Sequence, residues 1–197
     1  MQGGQACGQA IAEVLLGVTE PSGRLPISFP VSAAALPAFY SRRPSGRRDG
    51  YCDISGSAVL WPFGFGLSFT AFELADLVVV TPRVAPNGTA VVNFTVTNTG
   101  ARAGWAVPQL YLRRVVASVT TPVLRLKGFA RVFLAPQASA AVSLSVDVAA
   151  ELVVFAGRAM TARVEEGAVT AYVGFSSAAP DLVLQGSFNI TAGAALV

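Results

Sequence analysis

Three stretches of strict two-residue alternation decide what the second half of this chain can fold into. In AVVNFTVTN, Val92, Phe94 and Val96 alternate with Asn93, Thr95 and Thr97. In AVSLSVDV, Val142, Leu144, Val146 and Val148 alternate with Ser143, Ser145 and Asp147. In DLVLQGSFNIT, Leu182, Leu184, Phe188 and Ile190 alternate with Val183, Gln185, Ser187, Asn189 and Thr191. Successive side chains of a strand point to opposite faces, so each run is a strand with one face to bury. Turn signals at Pro86-Asn87-Gly88, Asn98-Thr99-Gly100, Pro136-Gln137 and Glu166-Gly167 separate such runs. About seven strands over about 120 residues, with no helical stretch of comparable length, predict an antiparallel β-sandwich.

The first 40 residues follow another rule. Ala10, Ile11, Val14 and Leu15 form a stripe of helical period, closed by Gly17 where a C-terminal glycine belongs. In EPSGRLPISFP, Leu25, Ile27 and Phe29 lie between prolines that cannot donate to a ladder, which predicts a short edge strand. A helix and one edge strand bury no core of their own, so this segment is expected to be the last βα piece of a larger domain. The aromatic run WPFGFGLSFTAF, residues 61–72, marks the change of period. Gly64-Phe65-Gly66 lacks the third glycine and the flanking strand and helix of a phosphate loop. A seam is expected instead, with Trp61, Phe63, Phe65 and Leu67 on one side of an extended chain and Pro62, Gly64 and Gly66 on the other, where backbone can approach. The expected organisation is therefore residues 1–60 as the domain remnant and its loop, 61–72 as the interdomain linker, and 73–197 as the sandwich.

Several chemistries are excluded. The chain has no histidine, which removes His-based triads and the commonest metal ligand. Cys7 and Cys52 cannot make a structural zinc site by themselves; they form one disulfide or remain two buried thiols. No metal site and no cofactor are expected. A net charge of +3, nearly all arginine because Lys127 is the only lysine, is too weak and scattered for nucleic acid as main partner. No stretch reaches the roughly 18 to 20 apolar residues of a membrane span, and Met1 does not open a signal peptide. Asn87, Asn93 and Asn189 head N-x-T sequons at a turn or on polar strand faces, and are candidate glycosylation sites of a secreted protein.

The order GGQACGQAIAEVLLG, PSGRLPISFP, YSRRPSGR, WPFGFGLSFTAF, VTNTGARAGWAVPQLYLR, LKGFARVFLAP and YVGFSS resembles the C-terminal third of glycoside hydrolase family 3 enzymes, which include β-glucosidases and β-xylosidases. The resemblance runs from about Gly3 to Ile190. It implies a fold that is mainly β: the end of an α/β sandwich domain followed by a fibronectin type III-like, immunoglobulin-like sandwich. It also implies a parent that is secreted, extracellular or vacuolar and that cleaves a β-linked glucoside or xyloside through upstream domains. Family members are retaining glycosidases, and the resemblance places their nucleophilic Asp and their acid/base outside this region. No carboxylate of this chain matches a family catalytic motif, so no catalytic residue is assigned. Glu165-Glu166, the only adjacent acidic pair, reads as two solvated charges at a hairpin turn. In YSRRPSGRRDGYCD, Arg42, Arg43, Arg47 and Arg48 with Tyr40, Asp49, Tyr51 and Asp53 offer donors and rings suited to sugars. Arg43, Arg47 and Tyr51 are the candidates for the substrate rim. The alternative to a glycosidase portion is a stand-alone β-sandwich that binds carbohydrate or protein.

Overall fold

The computed structural model describes residues 4–44, 58–114, 116–158 and 160–192. Helix α1 spans Cys7–Leu15, and Gly17 with φ +72° ends it as the glycine predicts. Cys7 is a free, half-buried thiol at its start, and Cys52 lies outside the described residues. The expected edge strand shrinks to β1, Phe29–Pro30, which pairs antiparallel with β2, Val59–Trp61. Pro26 and Pro30 cannot donate, and Leu25 instead exchanges backbone hydrogen bonds with the aromatic run: Leu25 N–H donates to Phe65 O (2.9 Å), and Gly64 N–H to Leu25 O (2.8 Å).

The remaining strands are β3 Phe72–Val79, β4 Arg83–Val84, β5 Thr89–Asn98, β6 Gly104–Ala106, β7 Gln109–Arg114, β8 Arg125–Phe129, β9 Val132–Leu134 and β10 Ser139–Asp147. After the short helix α2, Val148–Glu151, come β11 Val154–Ala156, β12 Thr161–Arg163, β13 Gly167–Gly174 and β14 Leu184–Ile190. Among the described residues this makes twelve strands from β3 onward, of which seven have five residues or more. The other five are too short to carry a period, which is why alternation reveals only the long ones.

Two sheets face one another, in orders β10-β5-β3 and β4-β14-β13-β7-β8, with the pairs β6-β9 and β11-β12 at the margins. Register brings the predicted apolar faces together: Val142 lies opposite Phe94 and Leu144 opposite Val92. In the other sheet Ala171 lies opposite Leu112 and Val173 opposite Leu110. These residues, with Val96, Val146, Val169, Phe188 and Ile190, form one buried core between the sheets. Helix α2 starts from Asp147, whose carboxylate accepts from Ala150 N–H at 3.0 Å, the expected N-cap bond.

Glu165 and Glu166 do not sit at a hairpin tip, because β12 pairs with β11 and β13 pairs with β14 and β7. Phe188 is 1% exposed at the centre of the core. Phe188→Ala is expected to lower unfolding stability by about 3 to 5 kcal/mol, measurable by urea denaturation followed by far-UV circular dichroism.

Candidate functional site

The ordinary sandwich strand is apolar on one face only, but β7 is buried on both. Leu110 and Leu112 face the core between the sheets. Gln109 and Tyr111 face outward by the same alternation, yet they are 3% and 0% exposed. Residues of the N-terminal segment cover them. The Tyr40 ring stacks on Phe63 at 4.1 Å between centroids, and its edge meets Tyr111 at 6.1 Å.

A buried amide and phenol leave polar atoms to satisfy, and the seam is built to satisfy them. Tyr111 Oη donates to Gln109 Oε1 at 2.5 Å. Gln109 Nε2 donates both its hydrogens, to Gly64 O at 3.0 Å and to Phe175 O at 2.9 Å. Burial pushes the Tyr111 phenol well above the ordinary tyrosine range, reinforced by Tyr40 and Asp181. The close approach requires glycine: at Gly64, φ is +81° and a Cβ would lie 2.1 Å from Gln109 Oε1. Ser177 N–H then closes on Phe63 O at 2.9 Å, and Phe63 N–H on Ser28 Oγ at 3.1 Å.

Two further ties flank this centre. The Glu20 carboxylate takes the Ser68 hydroxyl on one oxygen and Trp105 N–H, at 2.6 Å, on the other. Arg131 lies over the Trp105 ring at 3.8 Å and donates to Ser22 Oγ at 3.0 Å, while Arg102 donates to Gly17 O at 2.8 Å. Next to Glu20, burial lowers the Arg24 pKa and the Glu20 charge partly restores it. At the end of the linker, buried Asn98 takes Thr70 Oγ1–H on its Oδ1 (2.7 Å) and donates to Arg102 O and Leu134 O.

The structure distributes the predicted site residues unevenly. Phe63 and Phe65 are half-buried, whereas Trp61 and Leu67 are exposed, Trp61 meeting Phe29 edge-on. The chain from 61 to 67 is not extended as the alternation suggests, since it turns at Phe63-Gly64 and buries the glycine instead. Arg43 is exposed; Arg47 and Tyr51 lie outside the described residues, as do Arg48, Asp49 and Asp53. Tyr40 is committed to the sandwich, its ring on Phe63 and its hydroxyl accepting from Leu126 N–H at 3.3 Å. The backbone of Arg42 is held as well, its carbonyl accepting from Val123 N–H at 2.9 Å. Asn87, Asn93 and Asn189 are all exposed. Sequence reasoning missed Gln109, Tyr111 and Glu20; a glutamine and a tyrosine on the outward positions of QLYLRR look solvated unless something is known to cover them.

Glu165 also departs from its expected role. Its carboxylate accepts from the Ser118 hydroxyl and backbone N–H and from Arg163, and it is not a free solvated charge. These contacts, the Ser118 hydroxyl first, hold its carboxyl below the usual glutamate range. Among the described residues no group of three or more Cys, Asp or Glu is placed to hold a metal ion, and no helix is long and apolar enough to cross a membrane.

Residues 1–69 match the Glycosyl hydrolase family 3 C-terminal domain, and residues 106–177 match the Fibronectin type III-like domain. The chain is 38% identical over 193 residues to a periplasmic β-glucosidase of Salmonella typhimurium, covering 93% of this chain and 24% of that one. It is 38% identical over 182 residues to a β-xylosidase of Formosa agariphila, covering 91% of this chain and 25% of that one. A solved β-glucosidase involved in saponin metabolism from intestinal bacteria superposes with a TM-score of 0.87 at 34% identity, over 94% of this chain and 25% of that one. The chain thus spans about a quarter of the length of the curated relatives it matches.

Two outcomes test this geometry. Gly64→Ala, which forces a methyl onto Gln109, is expected to raise amide exchange at Leu25, Gly64 and Ser177 at least tenfold while β5 and β13 stay protected; hydrogen-exchange NMR reads it. Glu165 has a depressed folded pKa, so its contribution is present above the ordinary glutamate value of about 4.3 and is lost as pH falls below it. Glu165→Gln should therefore lower stability at neutral pH and flatten the acid-side decline, measured as denaturation midpoint against pH.

Proposed function

Because the chain belongs to glycosyl hydrolase family 3 and corresponds to the C-terminal part of its members, we propose that it supplies the non-catalytic end of a β-glycosidase acting on β-glucosides or β-xylosides. The observation that carries this reading is the state of α1. Ile11 and Leu15 on α1 are 54% and 80% exposed, although the helix carries an apolar stripe to bury, and Leu16 and Val18 just beyond it are 79% and 75% exposed. The rest of the segment is tied to the sandwich by Tyr40, Phe63 and Glu20. One side is thus docked and the other bare, the arrangement expected of a segment that completes an α/β domain and joins it to a terminal sandwich.

Several of the described carboxylates support an accessory role. A retaining glycosidase needs two carboxyl groups about 5 to 5.5 Å apart, one kept protonated to act as acid. In this chain Asp147 caps α2, Glu20 binds Ser68 and Trp105, Glu151 pairs with Lys127, and Asp181 takes the Ser176 hydroxyl. Each of these is committed to a structural partner. The catalytic carboxylates of the proposed enzyme lie in the upstream region, and the seam described above fixes the sandwich against the N-terminal segment of this chain that would continue that region. Secretion, with glycans on the exposed Asn87, Asn93 and Asn189, belongs to the same proposal.

The test is a transplant. A family relative deleted of its matching C-terminal quarter is expected to be inactive and to regain hydrolysis of a 4-nitrophenyl β-glucoside when this chain is joined in its place. The isolated chain should leave aryl β-glucosides and β-xylosides uncleaved. Turnover by the isolated chain that disappears on changing one of its own carboxylates contradicts the proposal.

A further inference from the structure

Two packed sheets have edges, and an edge strand offers its unpaired N–H and C=O groups to any strand that comes alongside. Among the described residues, all edges but one are blunted. β3 bulges between Ala75 and Val78, where Asp76 takes φ +56°, and β4 is two residues long. β8 carries Arg125 and Lys127, and the Tyr40 hydroxyl accepts from its Leu126 N–H. The pairs β1-β2, β6-β9 and β11-β12 consist of strands of three residues or fewer. β10 has none of these protections. It runs nine residues, Ser139–Asp147, without a proline or a register shift, and its only charge is Asp147 at the very end.

Two hydrogen bonds at the ends of the ladder fix where its free groups point. Asn98 N–H donates to Ala138 O at 2.9 Å, and Val148 N–H to Gly88 O at 3.0 Å. Bonded residues of an antiparallel pair recur at every second position. With Val142 opposite Phe94, the even-numbered residues of β10 therefore spend their backbone groups on β5. Ala141, Ser143 and Ser145 aim theirs outward, and among the described residues β10 has no second strand beside it. The side chains of these three are exposed, whereas Val142, Leu144 and Val146 lie in the core.

We propose that β10 is a dimerisation edge, pairing antiparallel with β10 of a second copy about a two-fold axis at Ser143. The pattern of SAAVSLSVD selects a second copy, because folding it back about its centre sets polar on polar and apolar on apolar. Ser139 falls opposite Asp147, Ala140 opposite Val146, Ala141 opposite Ser145, Val142 opposite Leu144, and Ser143 opposite itself. Like charges never meet, since the two Asp147 carboxylates stand at opposite ends of the ladder. Each residue with outward backbone groups meets another of the same kind, a match that a shift of one position would destroy. Each copy has one such edge, so the contact is isologous and closes at two. A lone strand pair buries less than a standard interface of about 1,600 Å², which makes the dimer a weak one. The pairing uses the sandwich alone and does not depend on the accessory role proposed above.

Sedimentation velocity of the 197-residue chain over a concentration series reads the association, with a Kd of about 100 μM or tighter expected. Amide exchange locates it: protection of Ala141, Ser143 and Ser145 should rise with concentration, while Val142 and Leu144, already bonded to β5, stay constant. Ser143→Lys, which sets two ammonium groups face to face on the axis, should weaken the dimer about tenfold or more. Ser139→Lys, brought opposite Asp147 at both ends, should tighten it severalfold. Both positions are exposed, so neither change enters the core. Leu15→Glu on α1 should leave the dimer unchanged. A chain that stays monomeric at millimolar concentration, edge amides whose protection ignores concentration, a Ser143→Lys that dimerises as before, a Ser139→Lys that fails to tighten, or a dimer abolished by Leu15→Glu and so seated on α1 would each overturn the assignment.

Discussion

Everything at the junction of this molecule depends on a buried phenol–amide pair on the wrong side of a β-strand. Tyr111 and Gln109 occupy outward positions of β7, yet both are removed from water. A buried amide left unpaired costs roughly 1–3 kcal/mol, so the surface over them cannot be generic apolar packing. It must present a backbone carbonyl to Gln109 Nε2, and Gly64 O does so at 3.0 Å. That single acceptor fixes where the turn of the aromatic run sits, and the stacking of Phe63 on Tyr40 follows from it.

The same requirement explains the composition of the linker. Large rings supply contact area, and glycines allow the backbone to come within hydrogen-bonding distance. A Cβ at Gly66 would lie 2.5 Å from Gly23 O, just as one at Gly64 would overlap Gln109. Glu20 then bridges Ser68 and the β6 backbone, so the linker is held at both ends of its path across the sandwich. The result is a segment docked on one flank while α1 leaves its apolar stripe in solvent, and that asymmetry underlies the accessory role proposed for the chain.

Alternation made the long strands legible, because period two is a direct consequence of strand geometry and the apolar faces of β5, β10 and β14 obey it. The helix and its glycine stop were legible for a similar reason. The two- and three-residue strands were not, since they are shorter than any period that defines them. Gln109 and Tyr111 were misleading in a different way: local pattern states which face a side chain takes, and only tertiary structure states whether that face meets water. Tyr40 read as a sugar-facing ring because it stands among arginines, but its stacking partner lies 23 residues further along the chain, at Phe63. Arg114 went unnoticed within a run of two arginines, although its parity with Leu112 marks it as the one that turns inward.

The dependence of the sandwich on its N-terminal cover can be measured directly by comparing urea denaturation of the whole chain with that of a chain beginning at residue 73. The shortened chain retains every buried residue of the core between the sheets, losing only the partly buried Phe72 at its edge, but exposes Tyr111 and Gln109. It should keep an all-β circular dichroism spectrum and unfold cooperatively at a clearly lower urea concentration. An unchanged midpoint would mean that the cover contributes nothing to the sandwich, and would contradict the dependence of the junction on the Tyr111–Gln109–Gly64 contact.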